Sequence, residues 1–197
     1  YCRLLEETVA ELRDGRGVAP VDVKVDLRVP AYLPDDYVGD PQLKMDLYRR
    51  LARLREPDLA DQLRDEFRDR YGPLPIPVEN LLAVHRIRIL ASRNGVEEVR
   101  ASRRGIDLFF AGGQEPGPPI IRGLMASSLQ GLQFKAVDQF SMRVPAARDQ
   151  HLAAAVTVLE KLEELRVQDA AGSAGPEMPH TGTPSTGTPD RWRPCCR

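Results

Sequence analysis

Leu59, Leu63 and Phe67 recur every four residues behind Pro57. That spacing predicts a helix whose inner side they line. Tyr71 extends the side, Gly72 supplies a left-handed C-terminal cap, and Pro73 forbids continuation. Upstream, Asp40-Pro41 predicts another helix start, with the aspartate as cap and the proline in the first turn. Leu43, Leu47, Leu51 and Leu54 form its inner face. A third helix is predicted from about Ile76 to Asn94, closed by Gly95. On it Val78, Leu82, His85 and Ile89 share a face, and Ile87 and Leu90 widen the apolar coverage, so it should be the most buried of the three. Together these make an antiparallel helical cluster.

Either side of the cluster the period changes. Residues 1–13 carry Leu4, Leu5, Val9 and Leu12 at helical spacing, ended by Asp14-Gly15-Arg16-Gly17. Val21, Val23, Val25 and Leu27 then alternate with charged residues, the pattern of a half-buried strand. Beyond the cluster, Val96 to Ala101 and Ile106 to Phe110 flank Arg103-Arg104-Gly105, a hairpin signal. A Gly/Pro-rich loop from Ala111 to Pro119 leads to a short helix over about 120–129. Leu132, Phe134 and Ala136, then Phe140, Met142 and Val144, predict two more strands. A last helix covers about 147–167, with Leu152, Val156, Leu159 and Leu162 inward. The fold class is therefore α+β: a helical cluster packed with a small, mostly antiparallel sheet and a C-terminal helix. Residues 169–197 are rich in Gly, Ser, Thr and Pro, too apolar-poor to offset ordering entropy, and are expected to be a disordered tail after a domain over 14–168.

Composition narrows the classes of function. The 197 residues have a net charge of −1, so no bulk field drives the chain onto nucleic acid or membrane. Lysine occurs only at 24, 44, 135 and 161, so arginine supplies the other basic residues. Arginine suits planar, bidentate pairing with carboxylates. No apolar run approaches a membrane span. Cys2, Cys195 and Cys196 imply no disulfide framework, which fits a reducing cytoplasm. A tyrosine at position 1, inside an apparent helical pattern, suggests a piece of a longer protein.

Searching for reactive centres yields little. There is no G-x-x-x-x-G-K-[ST] cradle for ATP, and the run Gly112-Gly113-Gln114-Glu115-Pro116-Gly117 lacks the lysine that would make it one. His85, His151 and His180 are far apart in sequence, no C-x-x-C occurs, and no metal site or catalytic residue is assigned. Arg86 and Arg88, then Arg100, Arg103 and Arg104, form a locally basic run. Arg103 and Arg104 at a hairpin tip suit phosphate contact, but no aromatic residues interleave the run, Glu97 and Glu98 sit beside it, and a solvated, ion-paired face is the preferred reading. Tyr32 and Tyr37 are expected to cover the core edge rather than stack a base.

On the helix ended by Gly72, Glu66 and Arg70 are four apart in the favourable order, and Gln62, Glu66, Asp69 and Arg70 run along the border of the apolar stripe. Two readings fit: a docking edge, or a solvated face with routine ion pairs. Glu66-Phe67-Arg68-Asp69-Arg70-Tyr71-Gly72-Pro73-Leu74-Pro75 resembles the signature segment of the C-terminal domain of bacterial transcription-repair coupling factors. Pro34-Asp35-Asp36-Tyr37-Val38 resembles that family's Pro-x-x-Tyr-Ile segment, and Tyr1 to Glu7 its passage from the translocase motor. The resemblance runs to about Leu165, with Tyr71 standing where phenylalanine is more usual.

The resemblance implies a non-catalytic regulatory clasp. The family's parent protein is an ATP-driven DNA translocase that displaces stalled RNA polymerase and recruits the excision-repair protein UvrA. Its motor, with ATP and Mg, lies outside this chain, and the parent binds double-stranded DNA. The clasp packs on a UvrB-like N-terminal module of the same polypeptide and hides the surface meant for UvrA. Glu66, Asp69 and Arg70 match the family's docking positions. Cytoplasmic localisation in a bacterium and no membrane partner follow from the same likeness.

Overall fold

The structure, a computed structural model, describes residues 21–173. The helix expected over 1–13, Cys2, Cys195, Cys196 and the segment after Ser173 lie outside the described residues. Strand β1 (Lys24–Asp26) leads into the helical cluster of α1 (Pro41–Arg53), α2 (Pro57–Tyr71) and α3 (Ile76–Arg93). Then come β2 (Val96–Ser102), β3 (Gly105–Phe110), α4 (Pro118–Ala126), β4 (Gln133–Ala136) and β5 (Phe140–Pro145). A short 3-10 turn (Arg148–Gln150) opens into α5 (His151–Ser173).

The strands form one five-stranded sheet in the order β1-β2-β3-β5-β4. Only β1 with β2 is parallel, and the remaining pairs are antiparallel. The α+β class and the mostly antiparallel sheet are as the sequence pattern implies. Beyond Arg103-Arg104, the hairpin places Gly105 so close to β5 that a Cβ there would lie 2.0 Å from the Val144 carbonyl oxygen. Only glycine allows β5 to pair at that point.

Two apolar clusters divide the molecule. Leu33, Val38, Leu47, Leu51, Leu63 and Phe67 pack with Val78, Leu81 and Leu82 in the helical layer. Val99, Ile106, Leu108, Met142, Val158, Leu159 and Leu162 are among those that pack with Ile87, Leu90 and Ala91 between sheet and α5. Helix α3 belongs to both: its first half faces the helices and its second half the sheet. It is accordingly the most buried of the three, with Val78, Leu81, Leu82, Ile87, Ile89, Leu90 and Ala91 inside.

Charged clamps join the layers around α3. Arg86 pairs with Asp61 of α2 and, at 2.7 Å, with Glu160 of α5. Arg93 pairs with Glu56 at the N-cap of α2 and, at 3.4 Å, with Glu163 of α5. The end of α3 is pinned by Asn94, wholly buried, whose side-chain amide donates to the Leu90 and Leu159 carbonyls at 2.8 and 3.2 Å. Arg166 of α5 donates to the Asn94 and Gln114 carbonyls at 3.1 and 2.7 Å, and burial holds its pKa down.

Several sequence expectations are corrected. Leu59 is 38% exposed, and Ala60 takes its place inside beside Leu63 and Phe67. After a bounding proline the buried stripe follows i, i+3, i+7, not a strict four-residue spacing, because the helix turns every 3.6 residues. His85, by contrast, is half-buried on the apolar face where it was expected. The short helix begins at Pro118, inside the loop expected to 119, and stops at Ala126, where the Ser127 N–H and Oγ both donate to the Leu124 carbonyl. Helix α5 runs over His151–Ser173, past the end near 167 expected for it. Its last turns carry Asp169, Ala170 and Ala171, which a helix already nucleated extends through at little cost.

A charged face on the second helix

Helix α2 ends where its sequence dictates. Gly72 takes a positive φ of 86°, but its ψ of −162° lies outside the left-handed helical cap that was expected, and its N–H donates to the Arg68 carbonyl at 3.0 Å. The Tyr37 hydroxyl reaches across to the Phe67 and Gly72 carbonyls at 3.1 and 3.2 Å. It thereby ties the Pro34–Val38 segment to the last turn of the helix and to the residue that caps it. The ring packs on Tyr71 with centroids 5.7 Å apart, and Tyr71 meets Phe67 edge-on at 6.1 Å. Burial, then the neighbouring Tyr71, pushes the Tyr37 phenol above its usual pKa. The Pro34–Val38 segment thus fastens the end of the signature helix. Tyr37 covers the core edge as expected, whereas Tyr32 is 50% exposed.

Phe67 and Leu63 hold α2 inward at 0% and 3% exposure, and this anchoring sets the outer edge. Glu66 is half-buried, while Asp69 and Arg70 are exposed next to it. Arg70 donates to Glu66 at 3.2 Å, the expected i,i+4 pair, and its guanidinium lies 5.8 Å from the Tyr71 ring centre. Glu66 has a second, closer partner that the sequence reading missed. Arg50, at the end of α1, grips it bidentately at 2.8 and 2.6 Å. The Arg50 contact, followed by Arg70, holds the Glu66 carboxyl below its usual pKa against the opposing effect of burial. One signal was available: Arg50 borders the Leu47 and Leu51 stripe of the neighbouring antiparallel helix, where a base faces the border acid of α2. Asp69 makes no ion pair among the described residues.

Arg103 and Arg104 occupy the exposed turn between β2 and β3. The basic run to which they were assigned is dispersed by the fold. Arg86 is consumed by its interhelical clamps, and Arg100 is chelated by Glu98 at 3.1 and 2.6 Å while lying over Phe109. Among the described residues no group of His, Cys, Asp and Glu stands close enough to hold a metal ion. Nor is any described helix long and apolar enough to cross a membrane.

What the fold and this face define is an α+β domain of two cores, with a charged helix edge left at the surface of the helical layer. Residues 27–119 match the TRCF domain family. Over 135 residues the chain is 30% identical to the transcription-repair-coupling factor of Escherichia coli K12, covering 66% of this chain and 12% of that protein. It is 37% identical over 113 residues to that of Mycobacterium tuberculosis, covering 52% of this chain and 9% of the relative. The chain therefore spans about a tenth of the relatives it matches. A crystal structure of the C-terminal domain of transcription-repair coupling factor superposes with a TM-score of 0.68 at 18% identity, over 76% of this chain and 97% of that one. The chain is thus similar to transcription-repair coupling factors over much of its length, and it has the fold of their C-terminal domain.

Proposed function

We propose that this domain is a non-catalytic clasp that docks through the α2 edge onto a UvrB-like module of its parent polypeptide. The parent, by family, is an ATP-dependent DNA translocase that displaces stalled RNA polymerase and recruits UvrA. The observation that carries the reading is the division of labour along α2. Leu63 and Phe67 fix the helix, Arg50 and Arg70 orient Glu66, and Asp69 is left exposed and unpaired among the described residues. An unpaired surface acid beside an oriented carboxylate favours a partner of opposite charge. Such a latch needs only a few kcal/mol of differential contact to keep one state dominant.

The test is the double reversal Asp69→Arg with Arg70→Glu in a parent protein carrying this domain. The latch predicts tighter UvrA binding and higher ATPase activity, with little change in the melting temperature of the separate domain. Leu63→Ala is the contrasting variant and should destabilise the domain by about 2–5 kcal/mol. Unchanged UvrA affinity in the double reversal would remove this face from the latch.

A further inference from the structure

Arg28 is the only non-glycine residue among those described with a positive φ, at 53°. A side chain in that region is disfavoured by contact of its Cβ with the backbone, and such outliers concentrate where a ligand is held. Arg28 lines a cleft of about 490 Å³ together with Leu27, Val29, Ala101, Ser102, Arg103, Arg148 and His151. The volume falls within the range of small-ligand clefts, roughly 300–1,000 Å³. Three chain segments meet there: the exit of β1, the hairpin turn after β2, and the 3-10 turn opening α5.

The lining is basic on every charged position. Arg28, Arg103 and Arg148 are exposed, and none makes an ion pair among the described residues, although most other arginines near acids do. Among the described residues no carboxylate lines the cleft. The nearest acid on β1, Asp26, is registered opposite Arg100 and acts on that side chain instead. Asp149, beside Arg148, is not among the lining residues. His151 is 4% exposed, yet it lines the opening and its ring makes no hydrogen bond among the described residues. The His151 imidazole, open to the cleft and without a hydrogen bond among the described residues, shares that lining with three guanidiniums.

We propose that this cleft binds a phosphate group, carried on a nucleic-acid backbone or free in solution. Guanidinium forks match the geometry of phosphate oxygens and stay charged at any working pH. His151 supplies a further polar contact from the protected side. The site is independent of the α2 edge and shares no residue with it, so either assignment survives failure of the other.

The 197-residue chain is titrated with a short fluorescein-labelled DNA duplex, read by anisotropy between about 50 and 200 mM salt, and with inorganic pyrophosphate, read by NMR at the His151 ring. Variants are Arg28→Gly, Arg103→Glu and Arg148→Glu, with Arg64→Glu in the helical layer as control. Glycine accepts a positive φ, so Arg28→Gly should leave the melting temperature unchanged or raise it while still weakening binding. That separation distinguishes a ligand-holding residue from a structural one. A backbone phosphate predicts duplex binding whose salt slope falls by about 1 for each arginine removed. A free phosphate predicts pyrophosphate shifts at His151 with no duplex binding. In either case each cleft variant should lose roughly tenfold in affinity, and Arg64→Glu should not. Absence of binding by both probes, or retention of affinity by the three cleft variants, would overturn the proposal.

Discussion

Replacing Glu66 by glutamine removes the charge at the centre of the α1–α2 contact without changing its shape. Glu66 is 30% exposed and accepts from Arg50 at 2.8 and 2.6 Å and from Arg70 at 3.2 Å. The Arg50 pair is bidentate and joins two helices; the Arg70 pair lies within one helix, and its arginine is 57% exposed. Exposed i,i+4 pairs contribute about 0.3–0.5 kcal/mol, and a well-aligned bidentate pair at a partly screened site about 1 kcal/mol. The expected loss for Glu66→Gln is therefore about 1–1.5 kcal/mol, or roughly 2–5 °C in melting temperature for a domain of this size. A double-mutant cycle of Glu66→Gln with Arg50→Ala, followed by urea denaturation, isolates the interhelical term. It should return a coupling near 1 kcal/mol. The effect is also pH-linked. The Glu66 carboxyl is held below its ordinary 4.5 in the folded state, so its contribution is complete above that value and is lost as pH falls through the lowered pKa. Coupling under about 0.3 kcal/mol at neutral pH would show that the pair does not orient Glu66. The docking edge would then lack its organising contact.

His85 carries a second pH dependence. Burial, with Arg88 adding to it, lowers its pKa to about 4 from 6.5, so the folded state binds fewer protons than the unfolded state between those values. Stability should be fully present above pH 6.5 and fall on acidification toward pH 4. The loss is about 2 kcal/mol at this half-buried site, and His85→Gln should flatten that part of a urea-midpoint profile; an unchanged profile would refute the assignment. Tyr71 has a buried hydroxyl with no hydrogen-bond partner, so Tyr71→Phe should raise stability by about 1 kcal/mol. Chemical denaturation decides it, and a loss of stability would show that the hydroxyl is satisfied in solution.

The elements were legible wherever one period prevailed. Asp40 caps α1 through the Gln42 and Leu43 amides as its position implies, and the Arg103-Arg104-Gly105 turn joins the strands that flank it. Helix α3 was harder to orient, because it serves two cores and its buried residues encircle much of the helix. Periodicity also says nothing about partners across helices, so the i,i+4 pair of Glu66 with Arg70 was visible and its stronger interhelical bond to Arg50 was not. The basic run shows the same limit, although Arg86 and Arg100 are ion-paired as its preferred reading held. Arg86, Arg100 and Arg103 are near in sequence, but the fold sends each to a different environment.

That dispersal explains why a chain of net charge −1 still presents local charge for recognition. Arg86 and Arg93 tie α3 to the helices before and after it, and Arg143 on β5 is paired with Asp107 on β3 at 2.6 Å. These arginines act within the fold, and their acids are spent with them. Among the described residues Asp69 on the helical layer makes no ion pair, and Arg28, Arg103 and Arg148 gather where the sheet meets α5. Overall charge balance hides such a separation, since an acid and a base cancel in the sum wherever they stand. The two proposals therefore call for opposite chemistry, a cationic partner at α2 and an anionic one at the cleft. Reversing charge at one should leave binding at the other intact, because residues without shared partners contribute independently.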